Sequence, residues 1–153
     1  MRRRKYERIV NQHHIPDVFF SGYSTYDDLP RYYQTSDITC FPSTGRESQG
    51  IVLLEAMSVG KPVIASNIDG YNSVLTDGIE GIAVPPKDSV RLAVAISKLI
   101  QDKQLREQMG ERGKPKAQQY AWSTIANRVL DFYTATLNKV KQSEPENTKK
   151  SPE

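Results

Sequence analysis

The sequence predicts an α/β protein built on a parallel sheet and finished by helices. Three observations predict it. Short apolar runs bounded by turn residues alternate with helical patterns over the first 84 residues, the rhythm of a two-faced parallel sheet with crossover helices. After Pro85 and Pro86 no strand pattern recurs and apolar residues return only at helical spacing. With 153 residues, 37% hydrophobic and 25% charged, the chain can bury one ordinary core, so one domain is expected over residues 1–141.

Taken in order, Lys5 to His14 reads as a helix and Val18 to Ser21 as a first strand. Asp27 to Thr35 follows as a helix and Ile38 to Phe41 as a strand. Next come a helix over Ile51 to Ser58, a strand over Pro62 to Ser66, a short helix over Tyr71 to Leu75 and a strand over Gly81 to Val84. Asp88 can cap a helix carrying Val90, Ala93, Val94, Ile96, Leu99 and Ile100. Helices over Lys103 to Gly113 and Ser123 to Lys139 complete the chain, with Ser123 as N-cap and the Trp122 ring packed back onto the domain. The last helix bears Ile125, Val129, Leu130, Phe132, Tyr133 and Leu137, a face that needs a partner surface. From Gln142 on nothing can be buried, so residues 142–153 are expected to be a disordered tail. The opening is unusual, because a sheet of this kind normally starts on a strand and phosphate-facing loop. This one starts in a helical pattern, as if its first strands were missing.

Composition excludes several function classes. The net charge of +3 comes largely from Arg2, Arg3, Arg4, Lys5 and Arg8. Without interleaved aromatic residues this run reads as a solvated helix, and no nucleic-acid partner is expected. Cys40, the sole cysteine, cannot form an intrachain disulfide and is expected in the core of a protein from a reducing compartment. No apolar stretch is long enough to span a bilayer and no signal-peptide pattern follows the basic start, which points to the cytoplasm. His13 and His14 are adjacent and cannot share one helical face, and no Cys or carboxylate cluster completes a site, so no metal is expected.

The chemistry concentrates between Phe41 and Ser66. Pro42 to Gln49 leave the carboxyl end of a strand, the edge where α/β sheets hold ligands, and Gly50 permits close backbone approach. A helix starting there aims the amides of Gly50, Ile51 and Val52 at that edge, with the positive end of the helix dipole behind them, which suits a phosphate. Glu47 precedes the helix and Glu55 lies a little over a turn inside it, so two carboxylates flank one anion site. Carboxylates accept from paired hydroxyls, so a nucleotide-sugar, with its ribose and sugar diols and its diphosphate, meets both demands. Gly60 and Pro62 stop the helix before the next strand and need no ligand to explain them.

Glu47, seven intervening residues and Glu55, followed by Ala56-Met57-Ser58-Val59-Gly60-Lys61-Pro62-Val63-Ile64-Ala65-Ser66, closely resemble the motif of retaining GT-B glycosyltransferases, the large family that includes sucrose synthases and phosphatidylinositol mannosyltransferases. The resemblance continues through Asp69-Gly70, Thr76 to Gly81, Leu105 to Gly110 and Tyr120 to Ser123. It implies a Rossmann-like C-terminal, donor-binding domain that transfers a sugar from a nucleoside diphosphate with retention of configuration. It implies that Glu47 is the catalytic carboxylate, holding donor-sugar hydroxyls, that Glu55 holds the ribose, and that the backbone at Gly50 to Val52 holds the diphosphate. Ser48 and Gln49 join that donor site, and Ser24 and Tyr26, in the loop Gly22 to Tyr26, border the nucleobase. Tyr26, Tyr32 and Tyr33 could stack on a base, although aromatic residues beside a strand more often form partial core.

Two departures from the family pattern stand out. Gln49 replaces a usually aromatic residue, and the Arg and Lys that neutralise the leaving diphosphate belong to a segment upstream of anything in this chain. Without those cations the chain alone is expected not to turn over. The stretch Ile68 to Leu75 looks closer to the mannosyltransferase branch, pointing to GDP-mannose as donor, with the acceptor (lipid, glycan or protein) open. The donor is a substrate and no separate cofactor is implied. In a full-length context the protein would sit in the cytoplasm or at the inner membrane face. The alternative is a non-catalytic nucleotide-sugar-binding subunit or fragment that pairs with a separate N-terminal chain. A flavodoxin-like regulatory domain would need an acidic cluster for magnesium that the sequence lacks.

Overall fold

The computed structural model describes residues 2 to 143. Three parallel strands, β1 (Thr39–Phe41), β2 (Val63–Ser66) and β3 (Gly81–Val84), form a sheet in the order β1-β2-β3. Among the described residues seven helices surround and extend it: α1 (Arg2–Gln12), α2 (Leu29–Thr35), α3 (Ile51–Ser58), α4 (Asp69–Asn72), α5 (Ser89–Gln101), α6 (Lys103–Gln118) and α7 (Trp122–Ser143).

The central strand explains the architecture. All four residues of β2 are buried, as a strand covered on both faces requires. Val63 and Ala65 point into a core shared with Leu53, Ala56 and Met57 of α3 and with Tyr71, Val74 and Leu75 around α4. Ile64 points the other way, into a second core with Val84, Ala95 and Leu99 of β3 and α5 and Met109 of α6. Helix α6 serves both cores, contributing Met109 to one and Ala117 to the other.

The helix α3 and the strand β3 fall where the sequence pattern puts them. Asp88 caps α5 as expected, its carboxylate accepting from the Arg91 amide at 2.9 Å. The apolar residues of α5 divide: Ala95 and Leu99 are buried, whereas Val90, Val94 and Ile100 face outward. The short helix α4 begins two residues earlier than its apolar residues suggest.

Other expectations are corrected. Val18 to Ser21 forms no strand, and Phe19 is 88% exposed. A strand needs a neighbour to satisfy its backbone, and among the described residues neither sheet edge pairs with this segment. Helix α1 ends at Gln12, leaving His13 and His14 outside it, and begins at Arg2 rather than Lys5.

Helix α6 runs past Gly113 to Gln118 with Pro115 inside it. Gly113, the expected end, and Gly110 within the helix are contact points instead. A Cβ on Gly110 would lie 2.0 Å from the Gly60 carbonyl oxygen, and one on Gly113 would lie 3.1 Å from the Met57 side chain, so α6 approaches α3 through its bare faces. Close tertiary packing here overrides low helix propensity.

Cys40 is exposed, because the β1 alternation buries Thr39 and turns Cys40 outward. Trp122 is 87% exposed and opens α7 itself, so its ring does not anchor the helix and Ser123 lies in the first turn rather than at the cap. Helix α7 continues through Ser143, past the expected start of the tail, and residues 144–153 of that tail lie outside the described residues. No helix among the described residues is long and apolar enough to cross a membrane.

Candidate functional site

The segment from β1 to α3 is shaped by backbone that few residues adopt. Gly45 has φ +132°, Arg46 +63° and Gly50 +70°, so the loop turns sharply twice before α3 starts. Gly50 is required on two counts. Its left-handed conformation disfavours other residues, and a Cβ there would sit 2.9 Å from the Tyr71 ring and 3.2 Å from Val74. The loop is also pressed onto α4, since a Cβ on Gly70 would lie 2.0 Å from the Glu47 carbonyl oxygen.

That loop delivers the helix N-terminus expected from the sequence, with one refinement. Of the three amides, Gly50 N–H already donates to Glu47 Oε1, at a long 3.4 Å. The amides of Ile51 and Val52 donate to no protein acceptor among the described residues. Two unpaired donors at the positive end of α3 therefore remain for an anion.

Beneath the loop, Tyr71 is 3% exposed. Burial first, then the negative charge of Glu47, raise its phenol above the ordinary value, while a hydrogen bond with the Ser43 side chain works the other way. Tyr71 thus ties the floor of the loop to Ser43 and stands against Glu47.

Glu55 occupies a different environment. It is half-buried on α3, and its Oε2 accepts a 3.0 Å hydrogen bond from the Tyr33 hydroxyl of α2. Burial, then the hydrogen bond to Glu55 and its charge, hold the Tyr33 phenol well above its ordinary value. A pocket of about 190 Å³ lies between α2 and α3, lined by Tyr26, Leu29, Pro30, Tyr33, Glu55, Ser58 and Val59. A groove of about 690 Å³ meets it at Tyr26, Glu55 and Ser58 and continues along Gln49, Ile51 and Tyr120 to Trp122. Lys114 is the one cation lining that groove among the described residues, and it is paired with Glu111 at 2.6 Å. A larger, shallow depression of about 1030 Å³ along the outer face of α5 shares no lining residue with either.

The structure gathers some of the residues singled out in the sequence and separates others. Gln49, Ile51, Glu55 and Tyr26 share the groove, although Tyr26 is 84% exposed. Val52 is half-buried on α3 and Ser48 is exposed. Glu47 and Ser24, both half-buried, line neither the pocket nor the groove. The two carboxylates therefore do not line one cavity. Tyr33, offered by the sequence only as a base-stacking or partial-core aromatic, is paired with Glu55 by the packing of α2 on α3.

The acidic residues of Thr76 to Gly81 turn out to hold the fold. Glu80, 5% exposed, accepts from the Thr76 amide at 2.8 Å and lies 3.9 Å from Lys116, while Asp77 accepts from the Ala83 amide at 2.8 Å. Among the described residues no group of three or more His, Cys, Asp or Glu could hold a metal ion.

A parallel sheet whose first strand leads through a tightly turned loop into a helix N-terminus defines a Rossmann-like α/β class. Residues 2–116 match the family model described as glycosyl transferases group 1, and the chain belongs to that family. It is 41% identical over 100 residues to a phosphatidyl-myo-inositol mannosyltransferase of Mycobacterium leprae, covering 65% of this chain and 27% of that protein. Its fold superposes on a sucrose-phosphate synthase from Thermosynechococcus elongatus with a TM-score of 0.80 and 31% identity, over 90% of this chain and 35% of that one. Anabaena HepE in complex with UDP matches equally well, with a TM-score of 0.80 and 25% identity over 86% of this chain and 36% of that one. The fold is that of the C-terminal domain of GT-B glycosyltransferases, and the chain spans about a third or less of the length of these relatives.

Proposed function

We propose that this chain binds the nucleoside diphosphate sugar of a retaining glycosyltransferase. In this reading the Ile51 and Val52 amides take the diphosphate and Glu55 takes the ribose. Glu47 meets hydroxyls of the donor sugar, with Ser48 and Gln49 beside it. The pocket walled by Tyr26, Leu29 and Pro30 receives the base, and Ser24 borders it. The observation that carries it is the juxtaposition of two unpartnered amides at the start of α3 with a half-buried carboxylate one turn on, at the mouth of that pocket. An anion at the helix start and a diol at Glu55 are what one nucleotide presents together.

GDP-mannose is the proposed donor, supported by the mannosyltransferase relative and by the resemblance of Ile68 to Leu75 to that branch. The acceptor is a lipid, glycan or protein, and a full-length enzyme would work in the cytoplasm or at the inner membrane face. The chain by itself is proposed not to turn over. It spans 27% of the mannosyltransferase, and Lys114, the groove's cation, is already engaged by Glu111. Leaving-group stabilisation by positive charge, commonly the largest catalytic term, would come from elsewhere.

The test is calorimetric titration of the chain with GDP, UDP, GDP-mannose and UDP-glucose, beside a Glu55→Ala variant. Binding of one nucleotide class, weakened more than tenfold in the variant, about 1.4 kcal/mol, is the expected result and identifies the base. A folded chain that binds none of them overturns the donor-site reading.

A further inference from the structure

The hydrogen bond from Tyr33 to Glu55 joins residues 22 positions apart and is the polar tie between α2 and α3. Helix α2 has seven residues, none of them fully buried. The Tyr33 ring packs against the first core and tilts against Phe41 with centroids 6.5 Å apart, which sets the direction of its hydroxyl. On the other side of the bond, Glu55 Oε2 is occupied while Oε1 has no protein partner among the described residues. A glutamate otherwise free to turn about three torsions is thus held with one oxygen spent and one presented.

From this geometry we propose that Tyr33 is a positioning residue for ribose recognition: its hydroxyl orients Glu55 so that the free Oε1 meets the ribose diol, making the short helix α2 part of the nucleoside site. The proposal rests on the donor-site reading above. The phenol suits the task because a tyrosine hydroxyl carries its proton at any physiological pH, so the donor is never lost. Pre-orienting one acceptor lowers the ordering cost when the diol arrives.

Tyr33→Phe isolates the hydroxyl, since the ring contact with Phe41 and the core packing are retained. Wild type, Tyr33→Phe, Glu55→Gln and the double variant are titrated with GDP and UDP and with their 2′,3′-dideoxy counterparts, and urea unfolding is followed in parallel. The readout is the ratio of ribo to dideoxy affinity, which a merely structural clip would leave unchanged. The expected result is a wild-type preference of about tenfold for the diol, falling to about twofold in Tyr33→Phe. The double variant should show no further loss beyond Glu55→Gln, as expected for residues acting as one unit. An unchanged ratio in Tyr33→Phe overturns the proposal, whether or not stability drops, and leaves the donor site standing. A wild type that binds nucleotide but ignores the diol overturns it too, by removing ribose from Glu55. A wild type that binds no nucleotide overturns the donor-site reading itself.

Discussion

Helices α3 and α7 make opposite use of similar material. Both carry apolar residues at helical spacing. In α3, Leu53, Ala56 and Met57 are fully buried between the sheet and α6 within eight residues. In α7, Val129, Leu130, Phe132, Tyr133, Leu137 and Val140 all lie between 45% and 68% exposed. Periodicity selects the helix in each case, but burial depends on what stands opposite. Sheet and α6 stand opposite α3, whereas the apolar face of α7 beyond Ile125 stays about half exposed or more among the described residues. Sequence pattern therefore reports which face seeks a partner and is silent on whether one is present.

The contrast can be broken at its strong end first. Leu53→Ala leaves a cavity where relaxation is hard and should cost about 3 kcal/mol in urea unfolding. A cost near zero would show that α3 is not the centre of the core. Gly110→Val drives a side chain into the Gly60 carbonyl and should cost about 2 kcal/mol by the same measurement. Tolerance there would mean that α6 can slide along α3.

A smaller effect should appear at high pH. The folded Tyr33 keeps its proton beyond the point at which the unfolded tyrosine loses it, so the stability it contributes is intact below about pH 10 and declines as pH rises from there. Urea midpoints between pH 9 and 11.5 should fall more steeply for wild type than for Tyr33→Phe. Parallel slopes would remove the pair from the account of stability. The smallest effect is expected on α7, where Leu137→Ser should lie within about 0.5 kcal/mol of wild type. A larger loss, coupled to protein concentration, would show that the exposed face is covered by self-association.

Much of the fold was legible. Short apolar runs placed β1, β2 and β3, and Asp88 marked the start of α5, because each of these signals is local. Where long-range contact decides, the sequence was silent. Val18 to Ser21 has the composition of a strand but no neighbour to pair with. The helix expected to end at Gly113 runs on through Pro115 to Gln118, packed closely on α3 through Gly110 and Gly113. Cys40 sits in an apolar run, and its exposure follows from β1 being an edge strand. The candidate site divides in the same way. The loop, Gly50 and both glutamates could be picked out because they follow one another in a single stretch from Pro42 to Glu55. The tie between Tyr33 and Glu55 could not, because it depends on how α2 docks.

Cys40 also gives the experimenter a handle. It is the sole thiol of the chain, exposed, and one residue from the end of the strand that leads into the Pro42 to Gln49 loop. A fluorophore or spin label attached there would be unique by construction and would report on that loop from its base. Although the residue is exposed, partial desolvation by its neighbours raises the thiol above its ordinary value, so labelling should be run on the alkaline side.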